Sequence, residues 1–235
     1  MISFNDVCIR FNDTVVFDNF CEEFEENKIS CIMGPSGCGK TTLLNVLCGI
    51  LTEDSGSVSK PKRVSYVFQE DSLIPQKTAR KNLEIVLKSV YDNKRELRRV
   101  IDRFMMMVGL DGSADLYPSE MSGGMRQRLS LIRAFAYPSD IFLMDEPFKT
   151  LDIALKDSII KSFLSLYEES KRTVLFVTHD IDEALLTGDH IYVYSNKPIT
   201  LLRKFTVFEE KGSRKLYSDS LTKIKKEIYE VTETW

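Results

Sequence analysis

The residues whose types and spacing point to chemistry fall in five places, beginning with a glycine-rich run, GPSGCGKTT, at positions 34–42. Gly34 is followed after four residues by Gly39, Lys40 and Thr41, between an apolar run, ISCIM, and a helical run, TTLLNVLCGI. That spacing in that context is the signature of a loop that wraps phosphate groups. Gly34, Gly37 and Gly39 let the backbone turn tightly and bring its N–H groups inward, and Pro35, Ser36, Cys38 and Thr42 complete the cradle. The first turn of the next helix adds unpaired N–H groups and a partial positive charge. Lys40 is then the cation for the β- and γ-phosphates, and the Thr41 hydroxyl is a ligand for magnesium. The expected ligands are a nucleotide's phosphates and Mg2+.

Asp145 and Glu146 form the second place. The four apolar residues before Asp145 predict a buried parallel strand with the carboxylate at its carboxyl end, where it can hold magnesium through water. Glu146, one residue on, faces elsewhere. In the third place, Ser122, Gly123 and Gly124 precede a helical run, so a serine cap and open backbone present a second anion-binding helix start. A strand, RTVLFV, delivers the fourth group, Thr178, His179 and Asp180. Gln69 is the fifth, a neutral amide just beyond the strand RVSYVFQE that can coordinate magnesium or a water through its oxygen.

These groups need a scaffold with buried parallel strands, and the chain supplies one. The runs SFNDVCIRF and VVFDNFCEEF alternate as short antiparallel strands, with Phe11 ending the first as either a core residue or a flat face for a base. A helix follows the glycine loop to near Gly49, and LTEDSGSVSK reads as turn and linker. From 78 to 109 the spacing is helical, so 75–140 is expected to be a helical lobe, in which Met105, Met106 and Met107 serve packing. Helices at 153–170 and 182–186 alternate with strands, the crossover pattern of a mostly parallel sheet covered on both faces. His190 opens the strand HIYVY and is structural, a strand pair is expected within 197–208, and LTKIKKEIYEV is amphipathic.

With 235 residues, 43% apolar and 29% charged, the chain is long enough for one sizeable core. A net charge of −3 gives no reason to expect nucleic acid as a partner. The five cysteines form no CxxC pair and read as reduced core residues, which suits the cytosol. No apolar run approaches the roughly 18 to 20 residues that cross a bilayer, and the first residues lack the basic start and apolar centre of a signal peptide.

Taken together, the glycine loop, MSGGM at 121–125, IFLMDEP, KTLD and VTHD resemble the ATP-binding cassette (ABC) proteins over most of the chain. The resemblance implies an α/β P-loop NTPase (RecA-like) core at 1–74 and 141–208 with an N-terminal antiparallel β part. A helical subdomain at 75–140 carries the signature motif, and 209–235 is a C-terminal extension. It also implies that the nucleotide is ATP, that Glu146 orients the attacking water, that His179 contacts the γ-phosphate, and that Phe11 stacks on adenine where tyrosine is commoner. Asp152 is retained in KTLD, but Lys149 and Thr150 replace small residues, and Asn27 and Lys28 stand where glycine and glutamate are usual.

Family behaviour implies a head-to-tail homodimer with each ATP between Lys40 of one copy and Ser122, Gly123 and Gly124 of the other. Gln69 and the helical lobe would transmit closure to an integral membrane permease, served by a solute-binding protein. The chain would be peripheral, at the cytoplasmic face of the cell membrane. SGGMRQR, EPFxxLD and VTHDIDEAL look most like the importers of nitrate, sulfonate and taurine; a pyrimidine-precursor importer or an exporter is the alternative. Soluble relatives that act on nucleic acid carry two cassettes or a long coiled coil, and nonenzymatic ones lose the base or the switch. Neither pattern is present here.

Overall fold

The computed structural model describes residues 2–68, 72–149, 153–233 and 235. The alternation read at the start of the chain builds β1 (Ile2–Phe11) and β2 (Thr14–Phe24), antiparallel from Ile2 opposite Phe24 to Phe11 opposite Thr14. Their buried face is Phe4, Val7 and Ile9 with Val16, Phe17, Phe20 and Phe24. A third strand, β4 (Ser55–Val58), pairs antiparallel with β1 inside the run expected to be turn and linker. It is made of serine, glycine and valine, so no apolar period marks it. Its identity comes from the pairing with β1, and the approach is so close that a side chain at Gly56 would run into the Asp6 carbonyl oxygen.

The larger sheet has six strands in the order β5 (Val64–Val67), β6 (Ile141–Asp145), β7 (Thr173–Val177), β3 (Ile29–Met33), β8 (His190–Tyr194) and β9 (Leu201–Thr206). All neighbours run parallel except β8 and β9. Within 197–208, where a strand pair was expected, only β9 is a strand, and its partner is β8. Every residue of β3, β7 and β8 is buried, as a sheet covered on both faces requires. The two-residue period of a strand separates its faces. Ile141 and Leu143 pack into one core with Phe4, Phe24 and the helix α1 (Lys40–Leu47), whereas Phe142 and Met144 pack into another with Phe163 and Phe176.

The helical lobe contains α2 (Ala79–Leu87), α3 (Lys94–Met107) and α4 (Gly123–Ala136). Each begins at a polar side chain that accepts from the first turn: Thr78 from the Lys81 N–H, Asn93 from Arg95 and Glu96, Ser122 from Met125. Of the three methionines, Met105 is buried and Met107 packs partly buried against the core, but Met106 is 69% exposed and stands outside it. The helices α5 (Ile153–Ser170) and α6 (Ile181–Thr187) follow β6 and β7.

His190, the first residue of β8, has Nε2 3.0 Å from Glu25 and Nδ1 3.2 Å from Thr206. The amphipathic run near the C-terminus forms α7 (Asp219–Thr232), packed on α6, β8 and β9. This extension grips α6 at both ends. Arg214 donates to the carbonyls of Leu185 and Gly188 at 2.8 and 2.7 Å, and Lys225 meets Asp182 in the first turn at 2.5 Å. Among the described residues, no helix is long and apolar enough to cross a membrane.

Candidate functional site

β3 ends at Met33, and the glycine loop turns the chain directly into α1. Gly37 and Gly39 take φ values of 77° and 127°, which side chains rarely adopt. A Cβ on Gly39 would also stand 2.7 Å from Val16, so β2 holds the loop from behind. Gly39 caps α1 without a side chain, which leaves the first-turn N–H groups to whatever lies in front of them. Lys40, only 7% exposed, donates to the carbonyls of Gly34 and Pro35 at 2.7 and 2.8 Å. Cys38 is buried behind the loop, and that burial pushes its thiol up despite the neighbouring Lys40.

The parallel register carries Asp145 to the end of β6, opposite Val177. There its Oδ2 accepts from the Thr41 hydroxyl at 2.9 Å and from the Tyr66 hydroxyl at 3.4 Å. Burial pushes the Asp145 carboxyl above its usual range, more than Thr41, Tyr66 and Lys40 pull it down. Glu146 takes a φ of 45°, which turns its side chain away from the strand, while its N–H still donates to Val177 at 2.9 Å. One carboxylate oxygen is 3.5 Å from His179 Nδ1, and the other is 2.5 Å from the Lys149 ammonium. Burial acts to raise Glu146, but Lys149, His179 and Lys40 outweigh it and hold the carboxyl below its ordinary value.

A cleft of about 380 Å³ gathers these groups. Phe11, Ser36, Gly37, Gly39, Lys40, Thr41, Thr42, Asp145 and Glu146 all line it, joined by Lys149 and Lys197. Phe11 is 45% exposed there, so it is not a core residue. His179 meets the group through Glu146. Ser122, Gly123 and Gly124 are placed at the start of α4 and do not line this cleft; Ser122 and Gly123 are exposed, and Gly124 is covered by Leu155. Gln69, Thr150 and Asp152 lie outside the described residues.

Three contributors escaped the sequence reading. Tyr66 reaches Asp145 only because β5 lies beside β6, and Lys197 enters the cleft from the loop after β8. Gln127, buried on α4, donates to the Pro147 carbonyl, tying the helix that Ser122 caps to the turn that carries Glu146. Chemically, a helix start and three lysines facing one cleft suit a polyphosphate. Thr41 and Asp145 are hard oxygen donors that meet at one point, which suits a magnesium ion that takes its other ligands from water and phosphate.

Residues 17–149, more than half of the chain, match the family model described as ABC transporter. Over 185 residues the chain is 37% identical to the nitrate import ATP-binding protein of Synechococcus elongatus, covering 74% of this chain and 67% of that one. Over 202 residues it is 34% identical to the formylaminopyrimidine import ATP-binding protein of Halalkalibacterium halodurans, covering 85% and 81%. A dimeric ATP-binding cassette, solved in a post-hydrolysis state bound to ADP and Pi, superposes with a TM-score of 0.75 at 28% identity, covering 89% of this chain and 100% of that one. The architecture is thus the RecA-like P-loop NTPase core with an N-terminal antiparallel sheet and an inserted helical subdomain. The chain belongs to the ABC transporter family, as one of its ATP-binding and ATP-hydrolysing subunits.

Proposed function

We propose that this subunit powers import of a small solute of the nitrate, sulfonate or taurine kind, through a separate membrane permease and with a solute-binding protein outside. The observation that carries the ATPase site is the meeting of Lys40, Thr41, Asp145 and Glu146 in one cleft, with His179 behind Glu146. Lys40 and the N-terminus of α1 stabilise charge on the β- and γ-phosphates. Glu146 accepts the proton of an attacking water, and His179 holds Glu146 in place and reads the γ-phosphate. Thr41 and Asp145 would hold Mg2+, with Gln69 as a further ligand; when bound, the ion neutralises phosphate charge. Phe11 offers its exposed ring to adenine.

The exposed start of α4, apart from its own chain's cleft, supports a homodimer in which Ser122, Gly123 and Gly124 complete the partner's site. With no membrane-crossing helix among the described residues, the permease supplies the path and this chain is peripheral at the cytoplasmic face. Both sequence relatives above are named for import, which supports that direction over export. The formylaminopyrimidine relative favours a second reading, a pyrimidine precursor as solute.

Reconstitution with the permease and solute-binding protein in vesicles tests both. Stimulation of ATP turnover by nitrate, a sulfonate or taurine supports the first reading, and stimulation by a formylaminopyrimidine alone supports the second. No phosphate release under any condition defeats both.

A further inference from the structure

Lys149 adds positive charge to the nucleotide cleft, but no step proposed above is assigned to it. The turn explains how it gets there. Glu146 is left-handed, and the Lys149 N–H donates to the Glu146 carbonyl at 3.3 Å, so residues 146–149 close on themselves. The lysine then folds back until its ammonium is 2.5 Å from Glu146 Oε2. The family resemblance places a small residue here, so the lysine departs from the usual pattern.

The pair is built to be exchanged. The Lys149 ammonium is the group that covers Glu146 Oε2, an oxygen otherwise shut off from solvent. Lys149 is also 43% exposed against 14% for Glu146, and an ion pair with a solvent-facing partner contributes little. Lys40 differs, being buried and held by two loop carbonyls. The geometry also sets a direction. Asp145 meets Thr41, the residue after Lys40, and Glu146 follows Asp145, so a polyphosphate held by the loop extends its last phosphoryl group toward Glu146.

We propose that Lys149 senses the triphosphate: its ammonium leaves Glu146 for the terminal phosphoryl group of ATP, which adds a cation there and uncovers Glu146 Oε2. A terminal phosphoryl carries more negative charge than one carboxylate and offers several acceptor oxygens, so the exchange is favourable. ADP lacks that group, and with ADP the lysine stays on Glu146. This rests on the reading of the cleft given under Proposed function.

The test is calorimetric titration with Mg-ADP and with a nonhydrolysable Mg-triphosphate analogue. The proteins are wild type, Lys149→Met, Lys149→Arg and Lys40→Ala. Lys149→Met should weaken the triphosphate analogue about tenfold, leave ADP within about twofold, and be rescued by Lys149→Arg. Unchanged binding of both nucleotides, or an equal loss of both, in Lys149→Met overturns the proposal. Lys40→Ala separates the two levels. If it loses both nucleotides while Lys149→Met loses neither, the lysine's role falls and the cleft stands; if Lys40→Ala binds both normally, the cleft reading falls as well.

Discussion

The Lys156 ammonium lies 2.8 Å from a carboxylate oxygen of Glu183, a residue only 3% exposed. The same ammonium is 2.7 Å from Asp180, whose other oxygen caps α6 by accepting from Asp182 and Glu183. Glu183 in turn accepts from the Thr178 hydroxyl at 2.6 Å, and that hydroxyl accepts from the Asp180 N–H. The loop that carries His179 is therefore fastened from both sides to one lysine of α5.

Lys156→Met should destabilise the protein by about 3 kcal/mol, because it strands a buried carboxylate, and Lys156→Arg should recover most of the loss. Urea denaturation of the three proteins measures it. A loss under about 1 kcal/mol would mean that the loop is held by its backbone contacts and not by the ion cluster.

Phe11 ends β1 with its ring 45% exposed at the cleft. Phe11→Ala should weaken ATP binding by about 1 kcal/mol, on the scale of aromatic contacts, with the melting temperature nearly unchanged. Equilibrium titration beside thermal unfolding checks both halves; a large drop in melting temperature with unchanged affinity reverses the assignment.

Glu146→Gln keeps shape and reach but removes the charge that accepts a proton, so the variant should bind Mg-ATP and hardly hydrolyse it. Trapped ATP should then join two copies, each supplying Ser122, Gly123 and Gly124 to the other. Light scattering during size-exclusion chromatography, with and without Mg-ATP, reports the mass. Adding Ser122→Arg should return the monomer, and a dimer that survives it counts against the shared site.

Thiol labelling offers an independent check of the fold. Cys31 is fully buried, and burial pushes its thiol up to about 12; Cys38 is also buried beneath the glycine loop, whereas Cys21 is exposed. Only the thiolate reacts, so maleimide should modify Cys21 in the native protein and spare Cys31 and Cys38, with all five cysteines modified in urea. Native labelling of Cys38 at the rate of Cys21 would show that the loop is open.

The parts of the site that were legible in the sequence share a physical basis: they are local. The glycine loop, the carboxylates after β6 and the His179 loop each follow a short apolar run, so strand, turn and side-chain direction can be read from neighbours along the chain. β4 was missed because Ser55, Gly56 and Ser57 have no apolar alternation, and only pairing with β1 makes them a strand. Tyr66 and Gln127 were missed because their partners, Asp145 and Pro147, are 79 and 20 residues away. The contact of Lys149 with Glu146 is close in sequence but depends on the left-handed backbone at Glu146, which residue type does not announce.

The grip of Arg214 and Lys225 on the two ends of α6 has a consequence for how the molecule is made. Synthesis proceeds from the N-terminus, and elements begin to fold as they emerge. Every residue that lines the cleft has been added by Lys197, whereas Arg214 and Lys225 come later. The residues of the nucleotide cleft are therefore all present before α6 receives its clamps, so cleft assembly need not wait for the C-terminal extension.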